Sequence, residues 1–287
     1  MTEQRQKGVW LAILAAVLYA VNAPFSKILL RDMPPTLMAG FLYLGAGAGM
    51  IPIALARKIR HGAPAEAGLT KKELPYAIGM IVLDIAAPIC LMIGLTSTTA
   101  ANAALLNNFE IVATALIAML VFKEAIDARL WAGIIFVTLS CLLLSFEDIS
   151  SLHFSVGSLF VLLAAVLWGL ENNCTRMISS KDPLQVVLLK GIFSGSGSLI
   201  IGLAIGERME KIWPVFAVMA VGLVAYGLSI FVYVYAQRMI GAARTSAYYA
   251  IAPFISTALS MLIFRDPPQT VFFVALALMA VGAWLCR

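Results

Sequence analysis

Charge is what this sequence has least of. Of its 287 residues, 12% are Asp, Glu, Lys or Arg and 62% are apolar, where a soluble domain carries about 25% charged and 45–50% apolar residues. A chain of this composition cannot cover a water-facing surface of its own size. Histidine is nearly missing as well. His61 and His153 are the two present, and both fall in polar breaks, which excludes an HExxH zinc site or a serine–histidine dyad inside an apolar segment. Asp84 has no second aspartate in an apolar run to form a catalytic pair. The four cysteines, Cys90, Cys141, Cys174 and Cys286, lie singly in apolar segments with no CxxC, so neither a disulfide framework nor a metal centre is expected. No Walker A sequence and no dinucleotide fingerprint occurs. These absences predict no cofactor, no metal and no enzyme.

What the sequence does have is apolar runs. Spanning the hydrocarbon of a bilayer takes about 20 such residues, and ten runs of roughly that length can be read: 8–30, 34–56, 74–96, 100–122, 129–147, 155–178, 184–206, 213–237, 242–264 and 268–286. The first run is too long for the apolar core of a signal peptide, so it is read as the first helix. The expected fold class is an all-α integral membrane protein, bathed in membrane lipid, with no soluble domain. The formal charge of +5 does not indicate a nucleic-acid partner, because the cations sit in loops and at segment ends. With ten helices and the N-terminus inside, Arg5, Lys7, Arg57, Lys58, Arg60, Lys71, Lys72, Lys123, Arg129, Arg176, Lys181, Arg238, Arg244 and Arg287 fall on the inner side. Lys27, Arg31, Arg208, Lys211 and Arg265 fall outside. That bias predicts a multi-pass protein of the inner cell membrane with both termini cytoplasmic.

The two halves resemble each other. LAAVLYAVNAPFSK from Leu14 is repeated as LAAVLWGLENNCTR from Leu163, which aligns Tyr19 with Trp168, Asn22 with Glu171 and Lys27 with Arg176. Glycine-rich second segments follow at Gly45–Gly49 and Gly191–Ser198, and the fourth segments end as VFKE and IFRD. Five helices per half is an odd number, so the second copy, 155–286, enters the membrane in the opposite sense to the first, 8–147. Inverted repeats of this kind are the plan of many secondary transporters, with the substrate near mid-depth between the repeats.

Polar groups at that depth cost roughly 2.5–3.5 kcal/mol each for Asp, Lys or Arg. Glu171 is the first candidate, followed by Asn172 and Asn173, with Trp168 one turn earlier on the same face. Its repeat mate Asn22 has Tyr19 in the same relative place. Glu171 can bind a cationic or amine-bearing group, carry a proton, or serve as a structural hydrogen-bond partner. Glu110 shares a face with Asn107, and Asp84 precedes Pro88, whose missing donor frees the Asp84 carbonyl and predicts a bend or bound water. For both acids a structural pairing is an equal alternative. Lys190 can neutralise one of these acids or bind a substrate carboxylate. Its position early in the seventh helix makes snorkelling to the cytoplasmic surface the leading expectation. Tyr248 and Tyr249, ahead of Pro253, can wall a cavity or pack. The glycines, spaced small-xxx-small at Gly45/Gly49 and Gly191/Gly195, predict close helix approach. Burial disfavours an ionised carboxyl and a nearby cation favours it, so an acid in a gated cavity offers a route to coupling solute movement to protons.

The first-helix pattern LAAVLYAVNAPFSK, its copy and the ten-helix layout resemble the EamA family of the drug/metabolite transporter superfamily. The family's Glu-Pro pair is echoed by Glu110–Ile111, where proline is missing, and by Ala252–Pro253, where the acid is missing. Its Gly-Glu helix end is echoed by Lys123–Glu124 and more loosely by Arg265–Asp266. The resemblance implies a basket-like bundle whose cavity is walled by helices 1, 3, 4, 6, 8 and 9. That set includes Asn22, Asp84, Glu110 and Glu171 but not the helix of Lys190. It implies transport of amino acids, related metabolites or drugs, in an unspecified direction. The expectation is an alternating-access carrier of small amine-bearing or zwitterionic metabolites, with protons as a coupling ion and no obligate protein partner. The alternatives are an exchanger of anionic metabolites using Lys190, Arg244 and Lys27, a passive channel, or a membrane receptor.

Overall fold

The computed structural model describes residues 3–61, 68–123, 126–148, 153–178, 181–240, 245, 248–265 and 270–286. Glu124, Arg244, Asp266 and Arg287, named above, lie outside them. Eight helices are long and apolar enough to cross a membrane by length and composition. They are α1 (Arg5–Leu29), α2 (Pro35–Ile59), α3 (Leu74–Ser97), α4 (Ala100–Val121), α5 (Ala128–Ser145), α6 (Val156–Met177), α7 (Leu184–Ala204) and α8 (Trp213–Ala236). Two shorter apolar helices follow, α9 (Ala252–Phe264) and α10 (Thr270–Leu285). Between α5 and α6 the chain forms a small antiparallel ladder, Phe146–Asp148 with His153–Phe154. It is a minor departure from the all-helical expectation.

Four of the long helices are not uniform. α1 is broken at Val21, between Glu3–Ala20 and Asn22–Leu29. Pro24 lacks the donor that would bond the Ala20 carbonyl, and its ring crowds it. α4 is interrupted at Asn107–Asn108, between Ala100–Leu106 and Phe109–Phe122. The backbone there tightens into three-residue bonds, with Glu110 N donating to Asn107 O at 3.1 Å and Ile111 N to Asn108 O at 3.0 Å. The break needs no proline at Ile111. α7 carries a π-helical turn at Lys190–Ser194, and α8 another at Leu223–Leu228. π-turns of this kind gather at functional sites.

α2 is the spine of the bundle, and it meets α7 and α8 through glycine. A methyl on Gly222 would lie 1.9 Å from Leu42 O, one on Gly45 2.2 Å from Met219 O, and one on Gly191 2.3 Å from Gly47 Cα. The backbones therefore touch directly, as small-residue seams allow. The helix pairs also exchange when the two halves are exchanged. α1 packs on α8 as α6 packs on α3, and α4 packs on α6 as α9 packs on α1. The pairs α2–α7, α4–α9 and α5–α10 map onto themselves. At one end of the bundle Arg57 makes a two-pronged ion pair with Asp182, and Lys181 lies 3.4 Å from Glu73. At the other, Lys211 pairs with Asp32 at 2.8 Å, and Glu207 accepts from the first amides of α2, Thr36 N at 3.2 Å and Leu37 N at 2.8 Å.

Candidate functional site

The polar residues of the apolar segments converge at mid-bundle, and they do so where helices are irregular. Lys190 opens the π-turn of α7, Tyr226 sits in that of α8, Asn22 follows the break in α1, and Asn107 forms the break in α4. An interrupted helix leaves backbone groups and side chains pointing in directions a continuous one would not offer.

Lys190 does not snorkel. Its Nζ lies 2.6 Å from Glu171 Oε1 and 3.3 Å from Asp84 Oδ2, and its side chain is 13% exposed. The expectation fails for two reasons. Seven residues of helix after Pro183 carry Lys190 about 10 Å inward, and carboxylates from α3 and α6 wait there. Asp84 is 1% exposed. Its Oδ1 accepts from the Tyr43 hydroxyl at 2.8 Å, while Oδ2 has the ion-pair contact to Lys190 but no hydrogen bond of good geometry. Glu171, 3% exposed, also accepts from the Thr175 hydroxyl one turn on.

Glu110 is held differently. Asn172 Nδ2 donates to its Oε1 at 2.6 Å and lies 3.3 Å from Thr114 Oγ1. Asn173 Nδ2 donates to the carbonyls of Gly169 at 2.8 Å and Thr114 at 3.2 Å. The asparagines that follow Glu171 thus tie α6 to α4. Beside this acidic half lies a tyrosine half. Asn107 Nδ2 donates to the Tyr19 hydroxyl at 3.2 Å, and Asn22 Nδ2 to that of Tyr226 at 2.8 Å while its Oδ1 accepts from Ser26 at 3.1 Å. The Tyr19 ring meets Tyr226 at 5.9 Å and Tyr249 at 5.8 Å. Tyr43 meets Tyr226 at 5.1 Å, and Tyr233 meets Tyr249 at 4.9 Å. Among the described residues, the buried side-chain atoms Asn107 Oδ1, Asn108 Nδ2 and Ser198 Oγ have no hydrogen-bond partner.

The sequence candidates therefore divide. Asp84, Glu110, Glu171, Asn22, Asn107, Tyr19 and Tyr249 come together. Trp168 is buried in one cluster with Tyr43 and Tyr226 and neighbours Tyr43, whereas Tyr248 is 37% exposed. Asn22 takes Tyr226 rather than the Tyr19 beside it. Tyr43 and Tyr226 were not anticipated. Their signal is a tyrosine embedded in a glycine seam, where a buried hydroxyl must find a partner. A surface groove of about 450 Å³ lies along α10 at Phe273, Val274 and Val281, away from the polar core. Among the described residues no group of three or more His, Cys, Asp or Glu is placed to hold a metal.

The EamA-like transporter family matches residues 6–146 and, a second time, residues 155–287. The chain belongs to that family. Its EamA relatives include an uncharacterized transporter of Methanothermobacter thermautotrophicus, 25% identical over 289 residues, which cover 95% of this chain and 84% of that one. A second, the uncharacterized transporter YyaM of Bacillus subtilis, is 24% identical over 228 residues, 75% of this chain and 74% of its own. A crystal structure at 18% identity superposes with a TM-score of 0.69 over 97% of this chain and 94% of the other, which shows a shared fold. The protein is accordingly a multi-pass membrane transporter of the EamA family. Its polar core draws on more helices than the resemblance implied, because α2 supplies Tyr43 and α7 supplies Lys190.

Proposed function

We propose that this EamA protein is a secondary carrier that moves a small amine-bearing or zwitterionic metabolite by alternating access. Two inverted five-helix halves, 8–147 and 155–286, rock about the polar core. The observation that carries the reading is the charge balance at mid-bundle. Three carboxyl groups, Asp84, Glu110 and Glu171, stand against one ammonium, Lys190, which pairs with Asp84 and Glu171 while Glu110 accepts from Asn172. An unpaired charge in a low-dielectric interior is costly, so a neutral cluster holds two further positive charges. Protons and a substrate ammonium are the two ways to supply them, and exchanging one for the other couples the two fluxes. Interrupted helices at the centre are the usual setting of substrate sites in carriers built from inverted repeats. The exchange of helix pairs between halves supports the duplication. The surplus of Lys and Arg on one side supports cytoplasmic termini in the inner membrane.

The anionic alternative has less to work with. Lys190 is engaged by two carboxylates, and Lys27 Nζ donates to the carbonyls of Leu95 and Thr96 at the end of α3. Radiolabelled counterflow in proteoliposomes, with pooled amino acids and small amines beside a pool of carboxylates and phosphate esters, tests the reading. Saturable exchange from the amine-bearing pools is expected. Exchange confined to the anionic pool would overturn the substrate class, and non-saturable flux without counterflow would replace the carrier by a channel.

A further inference from the structure

Asp84, Glu171 and Lys190 are ion-paired with one another, although Asp84 Oδ2 has only the contact to Lys190 and no hydrogen bond. The ammonium bridges carboxylates from α3 and α6, and each carboxylate has a second donor on the protein, Tyr43 for Asp84 and Thr175 for Glu171. Glu110 has neutral company only. Asn172 donates to one of its oxygens, and among the described residues no cation stands within ion-pair distance of it.

One turn before Glu110, on the same face, Asn107 is fixed by the bond from its Nδ2 to the Tyr19 hydroxyl. That bond leaves Oδ1 as the uncommitted end of the amide, a buried acceptor with no partner. A buried acceptor without a donor is destabilising, and a ligand that donates to it relieves this. Tyr19 adds a third oxygen. Its ring, 5.8 Å from that of Tyr249, also offers a π-face, which attracts a cation.

We infer that Glu110, Asn107 and Tyr19 receive the substrate's primary ammonium, with Asp84, Lys190 and Glu171 as an ion-paired positioning unit beside them; the inference rests on the amine-carrier reading. The match is one of number as well as charge. An alkylammonium has three N–H donors, and the three residues present a carboxylate, an amide oxygen and a phenol oxygen. A quaternary ammonium carries the same charge but no N–H, so it would leave Asn107 Oδ1 unpaired. The site therefore distinguishes the two, which a site built on charge alone would not.

The probes are n-butylammonium chloride and tetramethylammonium chloride at equal ionic strength. Each is titrated against the purified full-length protein in detergent and read as the shift of its unfolding temperature. The butylammonium salt is expected to give a saturable rise in the parent, and tetramethylammonium none. Glu110→Gln should weaken the response at least about tenfold, the worth of a hydrogen bond to a charged group, with Glu110→Asp recovering part of it. Asn107→Leu should weaken it several-fold. Thr175→Val, which touches only the positioning unit, should keep the half-saturating concentration within about threefold. Equal response to both salts, or a response lost in Thr175→Val and kept in Glu110→Gln, would overturn the assignment. Amine counterflow that survives Glu110→Gln would sink the subsite and leave the carrier standing. No amine response, with counterflow confined to anions, would sink both.

Discussion

Replacing Lys190 by methionine removes one positive charge from between two buried carboxylates while keeping the length and apolar stem of the side chain. At 2.6 Å and 3.3 Å, the two attractions are each roughly 5–6 kcal/mol at an effective dielectric near 20. Those are gross values, offset by the cost of bringing three charges out of water. The net cost of removing one partner from a buried ion pair is about 3–5 kcal/mol, because the orphaned charge stays behind. Lys190→Met is therefore expected to lose about 3–5 kcal/mol in reversible unfolding in mixed micelles, followed by tryptophan fluorescence. The triple variant Asp84→Asn, Glu171→Gln, Lys190→Met has no charge to orphan, and it should recover more than half of that loss. A Lys190→Met protein within about 1 kcal/mol of the parent would refute the reasoning, as would a triple variant no more stable than the single one. Either result would mean that the lysine is not the counter-ion of the two acids in the membrane.

Three other outcomes follow from the packing and the caps. Gly222→Ala places a methyl 1.9 Å from Leu42 O, backbone against backbone, and should destabilise by about 3 kcal/mol or more, whereas Gly206→Ala would test only φ because nothing lies within 4 Å of it. Lys123 and Arg265 end α4 and α9 in the left-handed conformation, at φ 55° and 54°, where the Cβ is unfavourable by roughly 1–2 kcal/mol. Lys123→Gly should raise stability in the same unfolding assay by about 0.5–1 kcal/mol after the added freedom of the unfolded chain is counted. Glu73, at the start of α3, is held near 2 by the Thr70 hydroxyl and amide and by Lys181, below its ordinary 4.5. Its folded state thus binds fewer protons than the unfolded one, and its contribution is present above pH about 4.5 and lost as pH falls towards 2. The stability difference between the parent and Glu73→Gln should therefore be flat at neutral pH and shrink through that window. A difference that grows on acidification would reverse the assignment.

The helices were legible because a bilayer forces long apolar runs, and their period and breaks survive without any tertiary information. The acids were legible for the same reason, since a carboxylate in such a run is conspicuous. What the sequence could not reveal was pairing. Nothing local in the seventh segment tells that Lys190 sits in a π-turn, nor that α3 and α6 deliver Asp84 and Glu171 to it, and the local rule for a lysine near a helix start favours the surface. The same blindness put Tyr19 beside Asn22, since residues three apart share a face. In the fold Asn22 reaches across to Tyr226, and Tyr19 is taken by Asn107. The break in α4 was masked by the isoleucine that stands where the family has proline. Its fourth-segment counterpart, α9, keeps Pro253 and begins one residue before it.

The glycine seam between α2 and its neighbours α7 and α8 has a bearing on motion. Interdigitated side chains act as cogs, because to slide past one another they must change rotamer or part. Where Gly45, Gly191 and Gly222 bring main chain against main chain, there are no cogs to disengage. At those three contacts the surface is smooth, while Leu199 on Gly40 and Leu223 on Gly49 still interlock in the same seam. The two π-turns that carry Lys190 and Tyr226 begin next to Gly191 and Gly222, so the polar core hangs from the two helices that ride on that bearing.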